Sequence, residues 1–368
     1  MRIAIANDML LAVEAMRRII VAQGRDQVAW IARDGVEAVR RCELDRPDLL
    51  LMDLLMPQMD GVEATRRIMA KSPCAIVIVT ASVQHHAAKV FEAMGAGALD
   101  AVNTPVVVGP PGAAAPEPLR AKIETIRRLL GPAPRPRGTS GVEEAAPLLL
   151  PAPVPRVCLG ASAGGPAALA RVLSELPADF PAAIVIVQHV DAQFAPGLAD
   201  WLRGQAKLPV RVGADGEVLQ AGTVLLAGRE DHLVLRSAQR VGYSGVEPES
   251  PFRPSVDVFF KSVARHRGPA GGPRGSEAAG PGAAALIQPV STVGILLTGM
   301  GRDGAAGLLA MRERGLLTLA QDESSSAVFG MPKAAADLGA AREVLRLDQI
   351  AARLAREFAT RRPNPGRP

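Results

Sequence analysis

Along the first 130 residues, short apolar runs alternate with stretches whose apolar positions recur every three or four residues. The runs Ile3–Ala6, Val28–Ala32, Leu49–Met52, Ala75–Val79 and Ala98–Val102 have strand length. Between them, Leu10–Ala22, Val36–Cys42, Val62–Ala70 and Ala87–Met94 carry helical spacing, and Pro118–Leu130 sets Leu119, Ile123, Ile126 and Leu130 at helical period. Five strand–helix units in series predict a five-stranded parallel sheet with helices on both faces, a flavodoxin-like α/β domain over residues 1–130. From 131 to 155 the pattern gives way to Pro, Gly and Ser without periodicity, which predicts a flexible linker. Alternation resumes at Val157–Leu159 and predicts a second, doubly wound, mainly parallel α/β domain over 156–352. Residues 268–282, rich in Gly, Pro and Ala, read as a disordered surface insertion, and 353–368 as a basic tail.

Composition narrows the class. Hydrophobic residues make up 48% of the 368 and charged residues 21%, a globular balance with enough chain for two cores. No apolar run approaches bilayer length, and Asp8 stands where a signal peptide needs its apolar core. The expectation is a cytoplasmic protein that is not membrane-embedded. Cys42, Cys74 and Cys158 are odd in number and widely spaced, which fits reduced core thiols better than zinc or redox work. The net charge of +5 would suit nucleic acid, but much of the surplus arginine lies in the linker and tail. With aromatics at 3%, stacking platforms are few, and no nucleic-acid partner is expected.

In an open parallel sheet, functional groups collect at the carboxyl ends of the strands. Asn7 and Asp8 end the first predicted strand, Asp53 the third and Thr80 the fourth. Each alone reads as a helix cap; together they make a site for Mg²⁺ beside a carboxylate able to form an acyl phosphate. The segment Leu51-Met-Asp53-Leu-Leu-Met-Pro57-Gln-Met-Asp-Gly61 resembles the phosphoacceptor loop of two-component response-regulator receivers. The resemblance implies that Asp53 is phosphorylated, that Asp8, Asp53 and the Leu55 carbonyl hold Mg²⁺, and that Thr80 contacts the phosphoryl group. Three positions depart from the family pattern. Asn7 replaces the first acid of a pair, Thr104 the lysine before Pro105, and Ala101 an aromatic switch residue. Altered metal affinity, phosphoryl lifetime and coupling are the expected consequences.

The second half presents three reactive side chains after apolar runs. Gly160-Ala-Ser162-Ala-Gly164 fits a G-x-S-x-G elbow, whose small residues allow a tight strand-to-helix turn. The amides of Ala163 and Gly164, with Met300, are candidates to hold an oxyanion. A phosphate- or dinucleotide-binding glycine turn is the competing reading, although the spacing is not G-x-G-x-x-G. His189 follows Ala183–Gln188, and Asp303 follows Val293-Gly-Ile-Leu-Leu-Thr-Gly-Met-Gly301. An ordinary α/β-hydrolase shares the elbow, but its chain order is Ser, acid, late His. Here no histidine lies beyond Asp303. His232 and His266 read as structural or capping residues, and His85-His86 as solvated.

Beyond these segments, Arg253-Pro-Ser-Val-Asp-Val-Phe-Phe-Lys-Ser-Val263 and Ala320-Gln-Asp-Glu-Ser-Ser-Ser-Ala-Val-Phe-Gly-Met-Pro332 complete a further resemblance. Residues 156 to about 350 are similar to the catalytic domain of the bacterial chemotaxis protein-glutamate methylesterases, the CheB family, in which a receiver is joined to this domain. The resemblance implies that Ser162, His189 and Asp303 hydrolyse glutamate methyl esters on cytoplasmic helices of a methyl-accepting chemoreceptor-like protein, with methanol released and no esterase cofactor. It also implies glutamine deamidation in some members, a CheA-type histidine kinase as phosphodonor, and a receiver that blocks the Ser162 cleft until phosphorylated. Asn7 and Thr104-Pro105 resemble the family's Wsp-type surface-sensing branch, whose receptor array feeds a diguanylate cyclase. Two other readings stay open on the sequence: a DNA-binding output, which requires a helix-turn-helix after the linker, and a catalytically silent adaptor docking to the receptor and kinase array.

Overall fold

The structure, a computed structural model, describes residues 1–22, 24–83, 85–105, 117–130, 154–245, 250, 252–266 and 291–359. The linker at 131–153, the insertion at 268–282 and the tail from 360 lie outside the described residues. The chain forms two compact units, Met1–Ser140 and Gly141–Pro368.

In the first unit β1 (Arg2–Ala6), β2 (Gln27–Ala32), β3 (Leu49–Asp53), β4 (Ala75–Thr80) and β5 (Asp100–Asn103) alternate with α1 (Leu10–Val21), α2 (Gly35–Leu44), α3 (Gly61–Lys71), α4 (Ala87–Gly95) and α5 (Glu117–Leu130). The strands pair in parallel in the order β2-β1-β3-β4-β5. This is the flavodoxin-like order. A parallel strand covered on both faces must be apolar at consecutive positions, which is why these runs show no alternation. On one face, Ile3, Ile5, Leu49, Leu51, Val77 and Val79 pack against Met16 and Ile20 of α1 and Leu119, Ile123 and Ile126 of α5. β5 starts two residues later than its apolar run. Gly97, at φ 116°, and the Ala98 amide, bonded to the Ala93 carbonyl, close α4 first.

The second unit contains β6 (Arg156–Ala161), α6 (Gly165–Glu175), β7 (Ala183–Gln188), α7 (Ala195–Gln205), β8 (Val210–Val212), β9 (Val224–Leu226), β10 (His232–Ser237) and β11 (Arg240–Ser244). It continues with α8 (Val256–Arg265), β12 (Thr292–Leu296), α9 (Ala305–Glu313), β13 (Leu317–Gln321), α10 (Met331–Asp337), β14 (Glu343–Leu345) and α11 (Leu347–Ala359). Seven strands form a parallel sheet in the order β14-β13-β12-β6-β7-β9-β8, and β10 and β11 form a separate antiparallel hairpin. β6, β7 and β12 are buried along their whole length. α11 runs past the expected domain limit at 352 and buries Leu354 and Phe358, the latter edge-on to Phe180 at 5.4 Å.

Candidate active site

Register brings the serine and the histidine together. Ala161 of β6 lies opposite Gln188 of β7, so Ser162 and His189 leave neighbouring strands at the same level. The His189 amide donates to the Ala161 carbonyl at 3.0 Å, and the Ser162 amide donates to the Thr298 carbonyl at 3.1 Å, which fixes both backbones. Gln188, fully buried, donates from Nε2 to the Ser162 carbonyl (2.8 Å) and the His189 carbonyl (3.1 Å), tying the two residues to one side chain. Immediately beyond the serine the chain turns through Gly164, at φ 74°, into α6. Among the described residues, the amides of Ala163, Gly164 and Met300 donate to no acceptor; those of Ala163 and Gly164 stand at the start of α6, where negative charge is favoured.

Asp303 comes from further along its connection than expected. β12 ends at Leu296, and Asp303 sits in the turn before α9, seven residues after the strand. Its Oδ2 accepts from His189 Nε2 at 2.7 Å. The carboxylate also caps α8: Ser255 Oγ donates to Oδ1 at 2.7 Å, the Val256 amide to Oδ2 at 2.6 Å and the Asp257 amide to Oδ1 at 3.2 Å. Burial alone would raise this carboxyl, but the His189 ring, the Ser255 hydroxyl and the Val256 amide outweigh it and hold Asp303 below the usual carboxylate range. The acid therefore stays charged at neutral pH and fixes the proton of His189 on Nε2. Nδ1 is left buried and without a partner among the described residues. A neutral imidazole in this tautomer accepts a proton at Nδ1, the only ring nitrogen left for Ser162. Phe252 lies flat on the ring, with centroids 4.3 Å apart and planes at 3°.

In the first unit, Asp53 and Thr80 close β3 and β4, and Asn7 and Asp8 follow β1 directly. Asn7 Nδ2 donates to Asp53 Oδ2 at 2.9 Å, and the Leu55 amide donates to Asp53 Oδ1 at 3.3 Å. Burial pushes Asp53 up to about 6, opposed by the Leu55 and Leu54 amides and reinforced by the charge of Asp8. Asp8 and Asp53, the latter buried, follow or end the neighbouring strands β1 and β3 and are oxygen donors of the kind a small divalent cation takes. One expectation is overturned here. His86 is not solvated: it sits half-buried at the start of α4, with Nδ1 3.0 Å from Thr80 Oγ1. His85 is exposed and bonds to Ser82.

A family model described as CheB methylesterase matches residues 157–272 and 282–354, and one described as the response regulator receiver domain matches residues 3–108. A Cupriavidus metallidurans protein named protein-glutamate methylesterase/protein-glutamine glutaminase 2 is 54% identical over 358 residues, covering 96% of this chain and 97% of its own length. Its Pseudomonas aeruginosa namesake numbered 3 is 52% identical over 360 residues, covering 97% and 100%. Another from Cupriavidus pinatubonensis, numbered 1, is 50% identical over 371 residues and covers both chains completely. The chain belongs to the CheB methylesterase family. Its two units accordingly are a receiver and a methylesterase domain, and the methylesterase match is interrupted at 273–281, inside the Gly/Pro/Ala-rich segment.

Within the methylesterase domain, sequence reasoning missed the supports around the three side chains. Ser255 was available as a helix N-cap, a serine ahead of an apolar run with Asp257 in its first turn. That its hydroxyl would bind Asp303 was not readable. His232 has the structural place expected of it, accepting the Ser255 amide at Nδ1 (3.0 Å), and His266 caps the end of α8. Thr298 Oγ1 donates to the Ala163 carbonyl at 2.9 Å and thereby holds the elbow. The elbow has little room: a Cβ on Gly164 would lie 2.5 Å from Ala327 Cβ. Gly164→Ala is therefore expected to lower folding stability by about 2 kcal/mol or more, from left-handed strain and overpacking together. A denaturation midpoint equal to the wild type would show that the turn tolerates a side chain.

Proposed function

We propose that the chain is a phosphorylation-regulated serine hydrolase that demethylates glutamate γ-methyl esters on cytoplasmic helices of chemoreceptor-like proteins. The observation that carries this reading is the buried Asp303–His189 bond, which leaves Nδ1 unpartnered at the level of Ser162. His189 Nδ1 takes the hydroxyl proton as Ser162 Oγ attacks the ester carbonyl. The amides of Ala163 and Gly164, with Met300, stabilise the oxyanion. Collapse breaks the ester C–O bond, and the His189 proton passes to the departing methoxide to give methanol. Water, deprotonated by the same nitrogen, then releases glutamate and restores Ser162. The relatives' names include glutaminase, and the same steps with ammonia leaving would deamidate glutamine.

In the receiver, Asp53 accepts the phosphoryl group from a CheA-type histidine kinase, and Thr80 contacts it. Asp8, Asp53 and the Leu55 carbonyl would hold Mg²⁺, which supplies charge neutralisation for phosphoryl transfer. Asn7 leaves that donor set one charge poorer and places a neutral donor on Asp53. Phosphorylation shifts the population toward a form with Ser162 accessible. A cytoplasmic location fits a receptor-tail substrate; among the described residues no helix is long and apolar enough to cross a membrane. Asn7 and Thr104-Pro105 favour the surface-sensing branch of the family.

The regulatory half is tested with acetyl phosphate and Mg²⁺. Wild type is expected to label at Asp53 and to release methanol faster from a methylated receptor fragment, whereas Asp53→Asn does neither. Labelled wild type with unchanged methanol release would remove phosphorylation control.

A further inference from the structure

A phosphoryl group on Asp53 would bring about −1.5 to −2 charges to a carboxylate that is already buried and close to Asp8. Yet the polar side chains that end or follow β1, β3, β4 and β5 are Asn7, Asp8, Asp53, Thr80, Asn103 and Thr104, none of them cationic, and Arg33, exposed, follows β2, which β1 separates from β3. Lys89, on the adjoining helix, is committed to Asp60 at 3.4 Å. Beside Thr80, the group that can carry positive charge is His86, whose Nδ1 is 3.0 Å from Thr80 Oγ1. Asp53 feels the His86 charge as well as that of Asp8, with opposite effects.

We propose that His86 is a positioning residue for phosphoryl transfer to Asp53: its Nδ1–H donates to Thr80 Oγ1, turns the hydroxyl proton toward the phosphoryl oxygen, and adds positive charge beside it. The proposal rests on the reading that Asp53 is the phosphoacceptor. A hydroxyl that accepts from a cationic donor is polarised and gives a stronger hydrogen bond of its own. The imidazole thus serves two needs of a dianionic group, an oriented donor and a compensating charge.

The surrounding charged groups leave His86 this role. On α3 and α4, Asp60 pairs with Lys89, and Arg66 pairs with Glu63 and Glu92. On β5, Asp100 pairs with Lys122. In its own turn, His85 Nδ1 bonds to Ser82 Oγ at 2.8 Å.

The test uses the full chain, Mg²⁺ and acetyl phosphate, and reads the initial rate of Asp53 phosphorylation between pH 6 and pH 8.5. His86→Ala is expected to slow labelling at least about tenfold at pH 6, the effect of one charge-assisted hydrogen bond. His86→Asn keeps a neutral donor and guards against misfolding. The ratio of wild type to His86→Asn is expected to fall toward one as pH rises through the range where imidazoles lose their proton. In a Thr80→Ala background, His86→Ala should cost less than it does in the wild type, because the part that passes through the hydroxyl is gone and only the charge effect is left. A pH-independent ratio, or His86→Ala labelling at the wild-type rate, overturns the proposal while leaving Asp53 as phosphoacceptor. Wild type that labels no faster than Asp53→Asn overturns both.

Discussion

Ser162→Ala is expected to lower the turnover of a methylated receptor fragment by about 10⁶-fold, with little change in KM. The substitution removes the only atom that forms a bond to substrate in the proposed reaction, and it does so without disturbing the fold. The Ser162 backbone is held through the Thr298 carbonyl and Gln188 Nε2, neither of which touches Oγ. The remaining rate should be that of water attack assisted by the Ala163, Gly164 and Met300 amides, roughly 10³–10⁴ above the uncatalysed reaction. Initial rates at saturating fragment check this, and a loss confined to KM would assign Ser162 to binding instead.

Asp303→Asn should cost about 10⁴-fold in turnover while leaving the protein folded. The reason is proton placement. The carboxylate accepts from His189 Nε2, the Ser255 hydroxyl and two amides of α8, and it offers no hydrogen. An asparagine has one accepting oxygen and an NH₂ group. Whichever way it turns, it presents hydrogens to existing donors or drives the His189 proton to Nδ1, the face needed for Ser162. Asp303 also links activity to acid stability. Its lowered value means that its contribution is fully present above the ordinary carboxylate range and is lost as pH falls through the folded value. Measurement of turnover together with the acid unfolding midpoint separates the two effects. An Asn variant with near wild-type turnover would show that the imidazole needs no fixed tautomer.

Much of this arrangement was legible because parallel sheets put chemistry at predictable places. The runs Ala75–Val79 and Ala183–Val187 are too uniformly apolar for a half-exposed strand, so the polar residue ending each run had to sit at a sheet edge. Ser162 and His189 were found that way, and β6–β7 register sets them side by side. Asp303 was also read from its place after an apolar run, but six residues, 297–302, separate it from β12, so it stands further along its connection than the run alone predicts. The contacts that tune the site were out of reach of periodicity. Ser255 meets Asp303 across 48 residues of sequence, and the choice between the nitrogens of His189 depends on where α8 presents its first turn. Gly160 permits that approach, since a Cβ there would collide with Val256. His86 misled for a similar reason. A polar pair at a helix start reads as solvated until the turn folds it back on Thr80.

The central claim is that Ser162 cleaves a glutamyl methyl ester. Its most direct test follows methanol and fragment mass together when a methylated receptor fragment is incubated with wild type and with Ser162→Ala. The account predicts that wild type releases one methanol for each glutamate that loses a methyl group, and that Ser162→Ala releases methanol about 10⁶-fold more slowly, leaving only the residual oxyanion-assisted rate. Equal methanol release from the two proteins would contradict it.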